Sequence, residues 1–186
     1  MKIPTQKQCF ALIRTMGMMD HIVDHSVMVS NIALCLCRYV KQNTPSINEE
    51  LATAAALLHD ITKTRSFHTG EIHSETGGQL LENLGYPEVG DIIRQHVTLD
   101  CCETFSPVSE QEIVNYADKR VLHDTVVSLS ERLEYIRVRY GGHKDFQDRI
   151  SMMWQMTMKL EKKIFRHLPF LPSQLPQMVE PDIRRQ

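Results

Sequence analysis

The run Leu51-Ala52-Thr53-Ala54-Ala55-Ala56-Leu57-Leu58 ends in His59-Asp60, and this junction constrains the fold more than any other feature of the chain. An alanine- and leucine-rich helix belongs in a core. A core disfavours ionisable groups unless they are paired or bound to a metal. Two adjacent metal-type ligands at the end of such a helix therefore indicate an internal site, completed by residues from elsewhere. His25 upstream and His73, His96 and Asp118 downstream supply the candidates.

The rest of the sequence reads as helical nearly throughout. Ile22, Val29, Ile32, Ala33 and Leu36 recur at helical spacing and predict a long helix from about Asp20 to Lys41, stopped at Asn43-Thr44-Pro45. A short helix before it follows Pro4-Thr5 and ends near Gly17. Ser46-Ile47-Asn48-Glu49 has the pattern of a capping box, as do Ser109-Glu110-Gln111-Glu112 and Ser128-Leu129-Ser130-Glu131. They predict helix starts ahead of His59-Asp60, of Asp118, and of a helix ended by Gly141-Gly142. Thr62 to Glu71 reads as a polar loop. A helix from about His73 to Asn83 stops at Gly85, and Pro87 opens the next, which carries His96 near its end. A last helix is expected from about Asp145 to His167. No strand alternation is evident. The expected architecture is all-α: a helical bundle with an extended C-terminal helix and a proline-bearing tail. A single domain would occupy residues 1–168, and residues 169–186, which hold Pro169, Pro172, Pro176 and Pro181, would form an irregular tail.

The order and context of the candidate ligands resemble the HD-domain (HDIG-type) family of metal-dependent phosphohydrolases. In that family a helical His precedes an adjacent His-Asp pair, and a helical Asp follows. Here these are His25 in His25-Ser26-Val27, His59-Asp60 in Leu57-Leu58-His59-Asp60-Ile61-Thr62-Lys63, and Asp118 in Tyr116-Ala117-Asp118-Lys119. A subgroup adds two histidines, whose places are filled by His73 and His96. The resemblance spans roughly residues 17 to 140. It implies an HD-domain helical bundle with His25, His59, Asp60, His73, His96 and Asp118 as metal ligands. Asp60 would bridge two divalent transition-metal ions, with iron or manganese favoured over nickel, cobalt, zinc or magnesium. Imidazole and carboxylate donors without thiolate suit these ions, and two ions about 3.5–4 Å apart can bind a phosphate and activate water. Lys63 lies three residues after Asp60, the spacing of one helical face. With Asp60 it is the expected catalytic residue, and its ammonium would also bind substrate by neutralising charge on phosphoryl oxygens.

Some neighbouring residues compete with this set. His21 shares a helical face with His25, and spacing alone leaves either as ligand; the resemblance favours His25. His123-Asp124 lacks the apolar flank and reads as helix surface or as an outer layer of the site. Gly85-Tyr86-Pro87 matches the triplet that names a class of cyclic-dinucleotide phosphodiesterases, but it precedes His96 rather than following paired histidines, and reads as a helix stop and start. His68, His143 and His167 have no such context. Met152-Met153-Trp154-Gln155-Met156-Thr157-Met158 reads as core packing or an interface, with Trp154 a candidate dimer anchor.

The expected function is hydrolysis of a nucleotide or related phosphate ester or anhydride. The alternatives are a metal-stabilised nucleotide-sensing or partner-binding module with little turnover, and a dinuclear-iron oxygenase. Arg65, Glu71 and the Asp100 to Pro107 segment are where specificity residues are expected. A net charge of -2 gives no basic field for nucleic acid, so the expected partner is a small phosphate substrate, with a homodimer through the C-terminal helix as the expected assembly. The five cysteines, Cys9, Cys35, Cys37, Cys101 and Cys102, do not have zinc-ribbon spacing and read as reduced thiols. Neither a signal peptide nor a membrane span is read from the sequence, so the expected compartment is the cytoplasm.

Overall fold

The computed structural model describes residues 1–101, 103, 105–140, 144–166 and 168–183. Cys102, Gly141, Gly142, His143 and His167 lie outside the described residues. The chain is a helical bundle. In chain order its helices are α1 (Gln6–Thr15), α2 (Asp20–Val40), α3 (Glu49–Leu58), α4 (Lys63–Thr69), α5 (His73–Asn83), α6 (Pro87–Gln95) and α7 (Glu110–Lys119). A two-strand hairpin follows, β1 (Val121–Leu122) and β2 (Thr125–Val126), and then α8 (Leu129–Tyr140), α9 (Lys144–Phe165) and the one-turn α10 (Leu175–Met178).

Helix α2 is the axis. Its apolar stripe of Ile22, Val29, Ile32, Ala33 and Leu36 is buried and packs against α3 and α7. Helix α3 is buried on nearly every side, as its composition requires, and touches α1, α6 and α7 as well. The Ser109 and Ser128 boxes form as read. Glu112 N donates to Ser109 Oγ at 3.3 Å while Ser109 N donates to Glu112 Oε2 at 3.1 Å; Glu131 and Ser128 exchange the equivalent pair at 3.2 and 2.8 Å.

The Ser46 box does not form. Asn48 caps α3, its Oδ1 accepting from Leu51 N at 3.0 Å. Ile47 must be buried just before the helix, and Glu49, which would have closed the box, pairs with Lys41 instead, at 2.9 Å. Helix α3 also stops at Leu58, so His59 and Asp60 lie in the turn beyond it. The segment expected to be a loop contains α4, closed by Gly70 in the left-handed region (φ 72°). No residue of α4 is buried, so hydrophobic periodicity could not reveal it. The hairpin is equally silent, because two residues per strand carry no alternation; it places His123-Asp124 in a turn rather than on a helix surface.

The C-terminal region closes over α2 and α7. Lys163 on α9 donates to both carboxylate oxygens of Glu112 at 2.7 and 2.8 Å, with both side chains buried. Trp154 is buried within the chain, whereas Met152 and Met158 are exposed; a dimer through α9 would have to use the methionines. The segment expected as an irregular tail holds a 3-10 turn at Pro172–Gln174 and α10. Phe170 packs edge-on to Tyr39 and Phe165, and Ile183 exchanges two hydrogen bonds with the Asn31 side chain. Among the described residues, no helix is long and apolar enough to cross a membrane.

Candidate metal centre

The packing of α2, α3 and α7 brings His25, His59, Asp60 and Asp118 together, and the α5–α6 pair adds His73 and His96. Nε2 of His25 lies 3.0 Å from Asp118 Oδ1, and Nε2 of His59 lies 3.7 Å from that same oxygen and 3.3 Å from Asp60 Oδ2. On the other side of Asp60, Oδ1 is 3.2 Å from His73 Nε2 and 3.7 Å from His96 Nε2. All six residues proposed from the sequence therefore meet in one place. His59 and Asp60 are fully buried, His96 nearly so, and His73 is on the accessible side. His21 is exposed, and of the two histidines on that face it is His25 that joins the cluster.

The outer nitrogens explain how the rings are held. Nδ1 of His25 donates to the carbonyl of His123 (3.0 Å), Nδ1 of His59 to that of Ala56 (2.7 Å), and Nδ1 of His96 to that of Ile93 (2.7 Å). A main-chain carbonyl can only accept, so each Nδ1 carries the hydrogen and each Nε2 turns a lone pair inward. The lone pairs of His25 and His59 then face carboxylate oxygens, and that of His96 faces Nε2 of His73 at 3.2 Å. Such contacts call for a cation, either protons or metal ions. His59 Nε2 and Asp60 Oδ1 are buried with no partner in hydrogen-bonding geometry, and buried polar atoms are rarely left so.

Two overlapping triads, His25/His59/Asp118 and His59/Asp60/His96, each keep their donor atoms within 4.8 Å and could hold a metal ion. The nitrogen and oxygen donor set suits a divalent transition metal, and the main-chain acceptors behind the imidazoles are the usual orienting partners of ligating histidines. The residues fit the group.

The electrostatics are those of a tightly coupled cluster. Burial works to raise the carboxyls of Asp60 and Asp118, yet both sit well below the usual range. His59 and Lys63 hold Asp60 down; the hydrogen bond with His25 and the charge of His59 hold Asp118 down. Burial works to lower His59, but Asp60 and Asp118 outweigh it and raise the imidazole. His96 is pushed down to about 3 by burial, reinforced by the charge of His59, and so is neutral. Lys63 lies 2.7 Å from Asp60 Oδ2 with its side chain one-third exposed. Burial opposes its charge, and Asp60 and Asp118 restore it.

Several supporting residues were not read from the sequence. Lys119 and Asn115 both donate to the His96 carbonyl at 3.0 Å, and Thr62 Oγ1 donates to that of His73 at 2.8 Å. Helices α5 and α6 approach so closely that a Cβ on Gly78 would lie 2.7 Å from the Gly90 carbonyl, and one on Gly90 would lie 2.6 Å from that of Gly78. This contact fixes the pair that carries His73 and His96. The turn residue His123, read as helix surface or outer layer, serves the second role through its carbonyl. Lys119 alone had a visible signal, following Asp118 directly. Arg65 and Glu71, expected near substrate, are engaged with each other at 2.7 Å.

The chain is 26% identical over 164 residues to a tRNA (cytidine(56)-2'-O)-methyltransferase of Thermoplasma volcanium, in a match covering 81% of this chain and 46% of that protein. The chain thus spans less than half the length of that relative. It is 24% identical over 147 residues to an uncharacterized protein, MJ0778, of Methanocaldococcus jannaschii, covering 72% of this chain and 86% of that one. No solved structure matches significantly. The HD domain model matches residues 22–136, more than half of the chain and all six clustered residues, and the chain belongs to the HD domain family.

Proposed function

We propose that this protein is a metal-dependent phosphohydrolase acting on a nucleotide or a related phosphate ester or anhydride. The observation that carries the reading is the convergence of six His and Asp side chains with imidazole lone pairs turned inward, beside a cation reachable from solvent. His25, His59 and Asp118 would hold one divalent ion. Asp60, His96 and His73 would hold a second, with His59 near both, and iron or manganese is favoured. When bound, the ions would supply Lewis acidity at phosphoryl oxygen and acidify a water.

The chain's own residues have distinct tasks. Asp60 stays ionised and aims the Lys63 ammonium through their 2.7 Å contact. Lys63 then stands beside the centre as a fixed positive charge, where phosphoryl oxygens gain charge during displacement. His59, Asp60 and His96 are buried, whereas Lys63, His73 and Asp118 are partly exposed and mark the side from which substrate would approach. A homodimer through the exposed methionines of α9 belongs to the same reading.

The test is hydrolysis of a panel of nucleotides and simple phosphoesters with manganese and with iron, comparing wild type with Asp60→Ala. The expected result is turnover of at least one substrate by wild type and its loss in the variant. Full activity of Asp60→Ala on every substrate that wild type cleaves would overturn the assignment of the site.

A second reading is favoured by one observation, the similarity to a protein named as a tRNA methyltransferase. In it the chain is a metal-stabilised module that works beside RNA-modifying machinery with little turnover. Tight binding of nucleotide or tRNA fragments by the metal-loaded protein, with no product released across the panel, would select it.

A further inference from the structure

Helix α8 follows the hairpin whose turn supports His25, and it carries Arg132, whose charge reaches Lys63. The connection can be traced through contacts. His25 Nδ1 donates to the His123 carbonyl at 3.0 Å. The His123 ring meets Tyr135 edge-on at 5.7 Å between centroids, and the Arg132 guanidinium carbon lies 5.8 Å from the centre of the Tyr135 ring. Arg132 is therefore seated on an aromatic side chain that itself rests on the outer layer of the site.

Among the described residues no carboxylate pairs with the guanidinium. Arg38, Arg65, Arg94 and Arg120 each pair with an acidic side chain, whereas Arg132 forms no ion pair among the described residues, and its Nε is buried without a hydrogen-bond partner. The sequence supplies none locally, since the residues three and four positions away on the helix are Ser128, Leu129, Tyr135 and Ile136. The nearest acid in sequence, Glu131, is consumed by the Ser128 cap. A buried donor left without an acceptor is costly.

We propose that Arg132 is a phosphate-binding residue of this site, gripping the phosphoryl oxygens of the substrate together with Lys63. The proposal rests on the phosphohydrolase reading and names a residue which that reading leaves out. Arginine presents a planar fork that matches two phosphate oxygens, and stacking on an aromatic face pre-organises it. Arg132 also lies close enough to Lys63 and Lys119 for its charge to act on both. Like charges brought this close repel, and a bound phosphate would relieve the repulsion.

The experiment is calorimetric titration of inorganic phosphate into manganese-loaded wild type, Arg132→Gln and Arg132→Lys, with metal content measured on all three. Saturable binding by wild type, weakened about 10- to 100-fold in Arg132→Gln and less in Arg132→Lys, at equal metal content, is the expected result. Equal affinity in wild type and Arg132→Gln would overturn the role of Arg132 and leave the phosphohydrolase reading standing. Failure of metal-loaded wild type to bind phosphate would remove both. Loss of metal from Arg132→Gln would make the arginine part of the scaffold and overturn the proposal.

Discussion

Lys63 Nζ stands 2.7 Å from Asp60 Oδ2, while the other oxygen of the same carboxylate faces His73 and His96. One buried side chain thus divides its two oxygens between a cation open to solvent and the interior of the centre. Lys63→Met should separate these roles. It removes the charge with little change of volume, and should lower kcat about 100- to 1000-fold, the usual effect of losing one charge-stabilising donor. Metal content, measured on the same preparation, should stay at the wild-type value. Loss of metal along with activity would show that Lys63 holds the centre together rather than serving the substrate.

The two sides of Asp60 predict a stoichiometry. Wild type should carry close to two equivalents of metal by elemental analysis. His73→Ala and His96→Ala should fall toward one, because the triad of His25, His59 and Asp118 is untouched. One equivalent throughout would demote both histidines to structural roles. Oxygen uptake by the iron-loaded protein with reductant, measured alongside, separates an oxygenase from a hydrolase.

Much of this centre was legible in the sequence, and what was not shares a physical cause. His25, His59, Asp60, His73, His96 and Asp118 could be read because a side chain with metal chemistry is conspicuous in an apolar context. The carbonyls of Ala56, Ile93 and His123 could not, since every residue has one and only the fold decides where it points. Helix α4 went unseen because it buries nothing, and Ser46 was read as a cap because the competing pair, Lys41 with Glu49, depends on where α2 ends.

The close approach of Gly78 and Gly90 is another relationship hidden by sequence distance. Gly90→Ala forces a methyl group against a backbone carbonyl 2.6 Å away, and backbone cannot swing aside. The cost should be about 1–3 kcal/mol by chemical denaturation. Because α5 and α6 carry His73 and His96, the same substitution should reduce metal stoichiometry. Gly70→Ala, at a position with open space but φ of 72°, should destabilise without that loss. Equal metal content in the two variants would show that the helix contact does not set the second site.

The thiols give a pH dependence. Burial raises Cys9 from an ordinary value near 9 to about 12. Between those values the native state keeps a proton that the unfolded chain releases, so stability falls as pH rises above 9. Wild type should lose about 1.4 kcal/mol between pH 8 and pH 10 that Cys9→Ala does not lose. Burial also raises Cys35, to about 11, and Cys37 further. Mass spectrometry after alkylation of the folded protein at pH 8 should therefore find Cys101 modified, being exposed, and those three intact. Labelling of Cys9 at the rate of Cys101 would contradict the buried placement of α1.

The three carbonyls behind His25, His59 and His96 have an implication for how the protein would respond to mutational scanning. The tautomer of each ring is specified by main chain, so it survives any replacement that keeps the backbone path. At position 123 the imidazole is dispensable for this purpose, while the left-handed conformation (φ 58°) is not. His123→Gly or His123→Asn should keep the acceptor in place, and His123→Val, whose branched side chain resists that conformation, should not. A scan graded by chemical similarity would therefore rank these substitutions in the wrong order, because the information at that position is held in a dihedral angle rather than in a functional group.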